Sequence, residues 1–148
     1  MPTIVSTNMS PGTGTAKTPV PDGVDMVPQH GVRGDAHAGR NPRRQVSLLA
    51  LESIERMKAA GADVAPGAFG ENLTTQGMDL PALPLGTRLL CGDVLLTVTK
   101  IGKTCHTRCA IYHQVGDCVM PREGIFASVE KGGRIRPGQD IVIAARPD

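Results

Sequence analysis

The sequence predicts a mostly β protein, a β-barrel with a helical insertion, and three observations carry that expectation. Glycine (18) and proline (12) are dense in the 148 residues, which suits short strands joined by tight turns. Val94, Leu96 and Val98 alternate with Leu95, Thr97 and Thr99, the period of a strand with one drier face. Only one stretch, Leu48 to Ala60, has good helical periodicity.

The elements follow in chain order. Thr3–Ser6 reads as a short first strand. Residues 7–23 read as loop or edge, because proline and glycine interrupt regular structure there. Within them "GTGTAK" lacks phosphate-loop spacing and precedes no helical pattern, so it reads as a hairpin turn or mobile segment. Val24–Val27 can form a second strand, and His30–Arg44 is a polar loop punctuated by glycine. "QVSLLA" is either a buried strand or the entry to a helix. Ser47 is a plausible N-cap, since its hydroxyl can accept from a free amide. In the helix that follows, Leu51, Ile54 and Met57 share one face and Gly61 supplies the stop. Ala65–Leu80 is a glycine-rich turn leading into a short strand. Arg88–Cys91 and Val94–Ile101 form two strands about a Gly92–Asp93 turn. The chain closes with a strand, a Gly-Gly turn and a last strand over Asp140–Ala144.

A chain of 148 residues suits a single domain over 1–148 with one core. Its aromatic content is 2%, so Val, Ile, Leu, Met and Ala must fill that core. Few rings and a net charge of +2 argue against a nucleic-acid surface, which needs stacking platforms and a basic track. No basic-then-apolar leader and no apolar run of spanning length is visible, so no membrane contact and a cytoplasmic location are expected. In that compartment clustered cysteines are catalytic or metal-binding rather than bridged.

Three clusters carry the chemistry. The segment "IGKTCHTRCAIYHQVGDC" holds Cys105, His106, Cys109, His113 and Cys118. These are enough soft ligands for a zinc site, and a small zinc-stabilised domain is one reading. The C-x3-C spacing differs from that of the common structural sites. The other reading is a reactive thiolate at Cys105, beside Lys103, His106 and Arg108, whose positive charges favour the ionised sulfur. Cys91 lies in "RLLCG" and reads as a small buried hydrophobe. The second cluster, "GDAHAG" with Arg40, Arg43 and Arg44 behind it, suits a phosphate or carboxylate, or else is a solvated basic loop. The third, "PGAFGENL", offers Glu71 and Asn72. Asn72 can read a ligand edge or cap its own turn.

Taken in order, "KTPV", "GVRGDAHAG", "RQVSLLALESIE", "PGAFGENL", "GKTC" and "GGRIRPGQDI" resemble the MOSC domain, the family named for the C-terminal domain of molybdenum-cofactor sulfurases. The likeness runs from Lys17 to about Ile143 and suggests a stand-alone minimal member. It implies a barrel of the pyruvate-kinase-like type. It implies binding of the molybdenum cofactor (molybdopterin, with a tungsten variant) and either sulfur carriage as a persulfide or reduction of N-hydroxylated compounds. Pyridoxal phosphate is associated with the family only at large. Cys105 matches the family cysteine, as catalytic sulfur and metal ligand. The cofactor phosphate would then find partners among Lys103, Arg43 and Arg44; by the same resemblance His37, Ser47 and Asn72 are candidates to line the pocket, and His106, the neighbour of Cys105, is a further cofactor-binding candidate. The partners implied are molybdenum-cofactor enzymes or biosynthesis proteins, or a second copy of the chain. Cofactor-using reductases of this kind carry further domains, so a complete site is expected to need a dimer or a partner. A non-catalytic module that presents the cofactor or an oxyanion to a partner enzyme is the alternative.

Overall fold

The computed structural model describes residues 1–12, 16–102 and 123–146. Its main sheet has eight strands in the order β11-β7-β8-β9-β5-β6-β1-β2. They are β1 (Thr3–Met9), β2 (Thr18–Pro19), β5 (Val46–Ala50), β6 (Leu73–Gln76), β7 (Arg88–Cys91), β8 (Val94–Ile101), β9 (Ile125–Lys131) and β11 (Val142–Ala145). A smaller sheet holds β3 (Val24–Val27), β4 (Gly31–Val32) and β10 (Gly133–Ile135), ordered β10-β3-β4. A 3-10 turn spans Leu80–Ala82.

The large sheet curls into a half-barrel, and the start of β1 is bonded to the approach to β11. The Ile4 amide donates to the Gln139 carbonyl at 2.8 Å, and the Gly138 amide donates to the Ile4 carbonyl at 2.7 Å. Thr3 and Asp140 form an antiparallel bridge beside them. These bonds satisfy backbone groups that an open edge would leave to solvent or to another chain. The inside is aliphatic, as the low aromatic content requires. Leu48, Leu73, Leu89, Leu96, Ile125 and Ile141 are fully buried there, each contributing roughly 1.5–3 kcal/mol of burial. Cys91 packs among them, and burial pushes its thiol up to about 11, so it acts as a small hydrophobe. A second cluster outside the sheet packs Ile54 and Met57 of the helix against Leu49, Phe69 and Phe126.

Several expectations change on contact with the structure. β1 runs on to Met9, and Thr18–Pro19 pairs along Asn8–Met9, so residues 7–23 hold more strand than their composition implies. Proline is tolerated in β2 because that strand is the exposed edge. The helix α1 is Leu51–Ala59, shorter than the periodic stretch, and its N-cap is Ala50 with no side-chain cap. Leu48 and Leu49 belong to β5, which is buried along all five residues between a parallel β6 and an antiparallel β9. An apolar run of that kind suits a central strand and a buried helix equally, and the neighbours decide. Gly61 does stop the helix. Its φ is +105°, and the amides of Gly61 and Ala62 donate to the carbonyls of Lys58 and Met57, a Schellman closure. The strand after the Gly-Gly pair, β10, leaves the main sheet and pairs with β3. Among the described residues, no helix is long and apolar enough to cross a membrane.

Candidate functional site

Lys17 and Asp35 come from two separate motifs and meet inside the protein. The Lys17 ammonium lies 2.8 and 3.0 Å from the two Asp35 oxygens, and the two side chains are 1% and 0% exposed. Asp35 also accepts the amides of Ser10 at 3.0 Å and His37 at 3.2 Å. Burial alone would raise its carboxyl. The Lys17 ammonium and those two amides outweigh burial and hold it below the usual value. Asp35 therefore shapes the Gly34–Gly39 loop from within. His37 is left half-exposed, its Nδ1 3.8 Å from the same carboxylate.

Ser47 and Asn72 lie side by side in a buried polar network. The Ser47 hydroxyl donates to the Gly70 carbonyl at 3.0 Å, and the Ser47 amide donates to Asn72 Oδ1 at 3.1 Å. The Asn72 amide donates back to the Ser47 hydroxyl at 3.0 Å, and its Nδ2 donates to the Asn8 carbonyl at 3.2 Å. Next to it Glu71 is fully buried. Its Oε2 accepts from the Gly67 amide at 2.9 Å and the Thr74 hydroxyl at 2.7 Å, while Oε1 has no hydrogen-bond partner among the described residues. Gly67 sits against Lys17, whose amide donates to its carbonyl at 2.8 Å, and a Cβ on Gly67 would overlap the Lys17 carbonyl. Thus "KTPV", "RQVSL" and "PGAFGENL", far apart in the chain, are joined by buried hydrogen bonds. No sequence pattern announces that Glu71 is the most deeply buried acid in this web.

An open groove of about 430 Å³ forms where β8 ends. Asn41, Arg43 and Arg44 line it from the segment before β5, Thr99, Lys100 and Ile101 from β8, and Leu85 from the turn before β7. The backbone of Arg43 and the side chain of Arg44 each have a support. The Thr99 hydroxyl donates to the Arg43 carbonyl at 2.6 Å, and the Arg44 guanidinium lies 5.5 Å from the centroid of the buried Phe126 ring. The groove thus presents three cations, Arg43, Arg44 and Lys100, and no carboxylate among the described lining residues. Guanidinium forks match phosphate or carboxylate geometry, and an ammonium adds a point charge.

Of the residues singled out in the sequence, the groove gathers Arg43 and Arg44. His37, Ser47 and Asn72 do not line it. Lys100, Thr99, Leu85 and Ile101 were missed. The one available signal is that the alternation of β8 breaks at its end, where its register against β9 shifts between Val98 and Lys100. Cys105, Lys103 and His106, and with them Cys109, His113 and Cys118, lie outside the described residues, as do residues 13–15 of "GTGTAK". The described residues that flank this cysteine-bearing stretch are tied together. The Gly102 amide donates to the Gly124 carbonyl at 2.6 Å. Glu123 accepts from the Ser53 hydroxyl at 2.7 Å and pairs with Arg56, fastening the return to α1. Among the described residues no group of three His, Cys, Asp or Glu side chains is gathered to hold a metal ion.

The profile of the MOSC domain family matches residues 33–142. No curated protein matches the chain. Among solved structures, the YUAD protein from Bacillus subtilis is similar over 95% of this chain and 94% of its own, at a TM-score of 0.80 and 19% identity. YiiM from Geobacillus stearothermophilus is similar over 98% and 76%, at a TM-score of 0.74 and 25% identity. YiiM from Escherichia coli is similar over 100% and 72%, at a TM-score of 0.68 and 20% identity.

Proposed function

Because the chain belongs to the MOSC domain family, which is associated with the molybdenum cofactor, we propose that it binds that cofactor and handles sulfur, or the cofactor itself, through Cys105. The observation that carries this reading is the cationic groove of Arg43, Arg44 and Lys100 at the end of β8, the strand whose last residue, Ile101, precedes "GKTC" in the sequence. The donor set fits an anionic cofactor, since two guanidinium groups and an ammonium can neutralise a phosphate. When bound, the cofactor would supply a redox-active metal centre with affinity for soft thiolate. The chain's own part is to hold the anion and to present a sulfur. Lys103 and His106 flank Cys105 in sequence, and their positive charge would favour the thiolate. His37, Ser47 and Asn72 are the further residues proposed to shape the pocket. For Ser47 and Asn72 that would be through the buried bonds that fix the 67–72 turn. Molybdenum-cofactor enzymes or their biosynthesis proteins are the proposed partners.

Anaerobic purification with metal and pterin analysis, beside mass spectrometry of the untreated protein, tests this. The expected result is bound molybdenum (or tungsten) with pterin, or one added sulfur on Cys105. A Cys105→Ala variant should lose the sulfur increment and weaken metal retention. If Cys105→Ala retained cofactor and sulfur as the parent does, the thiol mechanism would fall and a non-catalytic binding module would replace it. Stoichiometric zinc with unfolding on chelation would replace both with a zinc-stabilised domain.

A further inference from the structure

One continuous run of contacts leads from the buried Glu71 to the cationic groove. Glu71 closes the turn before β6, its Oε2 accepting from the Gly67 amide and the Thr74 hydroxyl. The same turn places Phe69 in a buried cluster with Phe126, Leu49, Ile54 and Met57. Phe126 stands opposite Ser47 in the β5–β9 ladder, and the Ser47 hydroxyl donates to the Gly70 carbonyl of the turn. The Phe126 ring then supports the Arg44 guanidinium, which lines the groove. The turn is thus tied to Arg44 twice, through the Phe69 cluster and through Ser47.

We propose that this run is a pH-sensitive clasp: loss of the Glu71 proton opens the Gly67–Asn72 turn, shifts Phe126 and frees Arg44, so that anion binding in the groove weakens as pH rises. The effect on binding rests on the reading that Arg43 and Arg44 hold an anion; the clasp itself does not.

Glu71 is placed to act as the trigger. Neutral, its carboxyl can stay in a dry site, whereas a carboxylate there must be paired or hydrated. Its described neighbours offer no countercharge. Asn8 from β1, Ser47 from β5 and Thr74 from β6 do not titrate, and Ile54 and Met57 of α1 are apolar. Lys17 meets the turn through its backbone, and its ammonium is paired with Asp35. Oε1 has no hydrogen-bond partner among the described residues, so the ionised group gains most by admitting water. Burial raises the carboxyl above its usual value, which brings its ionisation toward neutral pH. The turn is also the part that can yield. Among the described residues no atom lies within 4 Å of where a Cβ on Gly70 would stand, so the turn has room to move. Local opening of such a segment costs less than opening the sheet.

The test is NMR of the full chain, following the Glu71 carboxyl carbon, the Gly67 and Phe69 amides and the Arg44 Nε–H from the ordinary carboxylate range to about pH 8. All are expected to move with one midpoint, above 4.5. The four histidines titrate in the same range, so variants separate their effect. Glu71→Gln should abolish the response of the turn and of Arg44. Phe69→Leu keeps an apolar side chain in the cluster, so Glu71 should still titrate while the Arg44 response shrinks at least about twofold. Should Glu71→Gln fail to fold, the midpoints in the parent and in Phe69→Leu carry the test. Sulfate, a dianion throughout, probes the groove. It should bind the parent about fivefold or more weakly at the high end of the range than at the low end, and Glu71→Gln within about twofold across it. A Glu71 carbon that does not move, an Arg44 midpoint different from that of Glu71, or an Arg44 response that survives Glu71→Gln overturns the clasp. Sulfate bound equally at all pH values overturns its hold on the groove. Sulfate bound at no pH overturns the anion reading instead, and a shared midpoint leaves the clasp standing.

Discussion

Glu71 and Asp35 are both buried acids, and the structure sends them in opposite directions. Asp35 is met by an ammonium and two amides and is held ionised. Among the described residues no cation pairs with Glu71. Burial dominates and raises its carboxyl above the usual 4.5, against the opposing Gly67 amide and Thr74 hydroxyl. A raised folded-state value means the folded protein holds the proton more tightly than the unfolded chain does. The stabilisation is therefore complete below the unfolded value of 4.5 and is lost as pH rises through the folded one. Glu71→Gln keeps an acceptor oxygen for Gly67 and Thr74 but cannot ionise. Its stability relative to the parent, read by urea denaturation, should improve as pH rises from the unfolded value of 4.5 towards the raised folded one, and level off above it. A difference that stays flat across that range would show that Glu71 does not titrate there. Little of this was legible in the sequence. "FGENL" announces an acid and an amide in a glycine-rich turn, and such residues suit a ligand and a buried turn alike. Burial decides between them, and burial is set by Asn8, Lys17 and Thr74, which no local pattern connects to Glu71.

At the scale of elements, the parallel pairing of β5 with β6 is the arrangement most in need of support. Two adjacent strands running the same way require a crossover, here α1 and the 60–72 segment, and that segment must return to a fixed register. Ser47 and Asn72 supply the fastening, with Asn72 accepting from the Ser47 amide and donating to its hydroxyl. Ser47→Ala should cost about 1–2 kcal/mol, and Asn72→Ala about 2–3 kcal/mol, because the latter leaves the Ser47 amide buried without an acceptor. The two losses should not add. A double-mutant cycle by urea denaturation should return a coupling of about 0.5–3 kcal/mol, and strict additivity would mean the contact carries no energy. Strand existence was largely legible, since Arg88–Cys91 and Val94–Ile101 fall where the alternation puts them. The boundary between β5 and α1 was not. "VSLLA" fits a helix entry until β6 and β9 claim its backbone bonds, and Ser47 then serves the turn rather than the helix end.

At the scale of the whole molecule, the curled sheet is joined to itself along a short seam at Pro2–Ile4 and Gly138–Ile141. The seam makes neighbours of the chain's beginning and the approach to its last strand, around a core whose buried residues come from six strands of the large sheet (β1 and β5 to β9). The same curvature gathers the groove, bringing Arg43 and Arg44 to Lys100 across more than fifty positions of sequence. That assembly explains why arginines in a polar loop could be read as anion partners while Lys100 could not. The loop advertises its charge locally, whereas Lys100 acquires its role from the strand's end. Closure also predicts a hierarchy of amide exchange. The amides of Ile4, Gly138 and Ile141 donate across the seam, to Gln139, Ile4 and Pro2. They should exchange only through the same global opening as Leu48 and Leu96 in the middle of the sheet, with the denaturant dependence of complete unfolding. The amide of Thr18, on the exposed two-residue edge strand β2, should exchange by local fraying and be nearly insensitive to low denaturant. If the seam amides instead exchanged like Thr18, the sheet would be an open one whose ends merely touch, and the groove would rest on a wall free to spread.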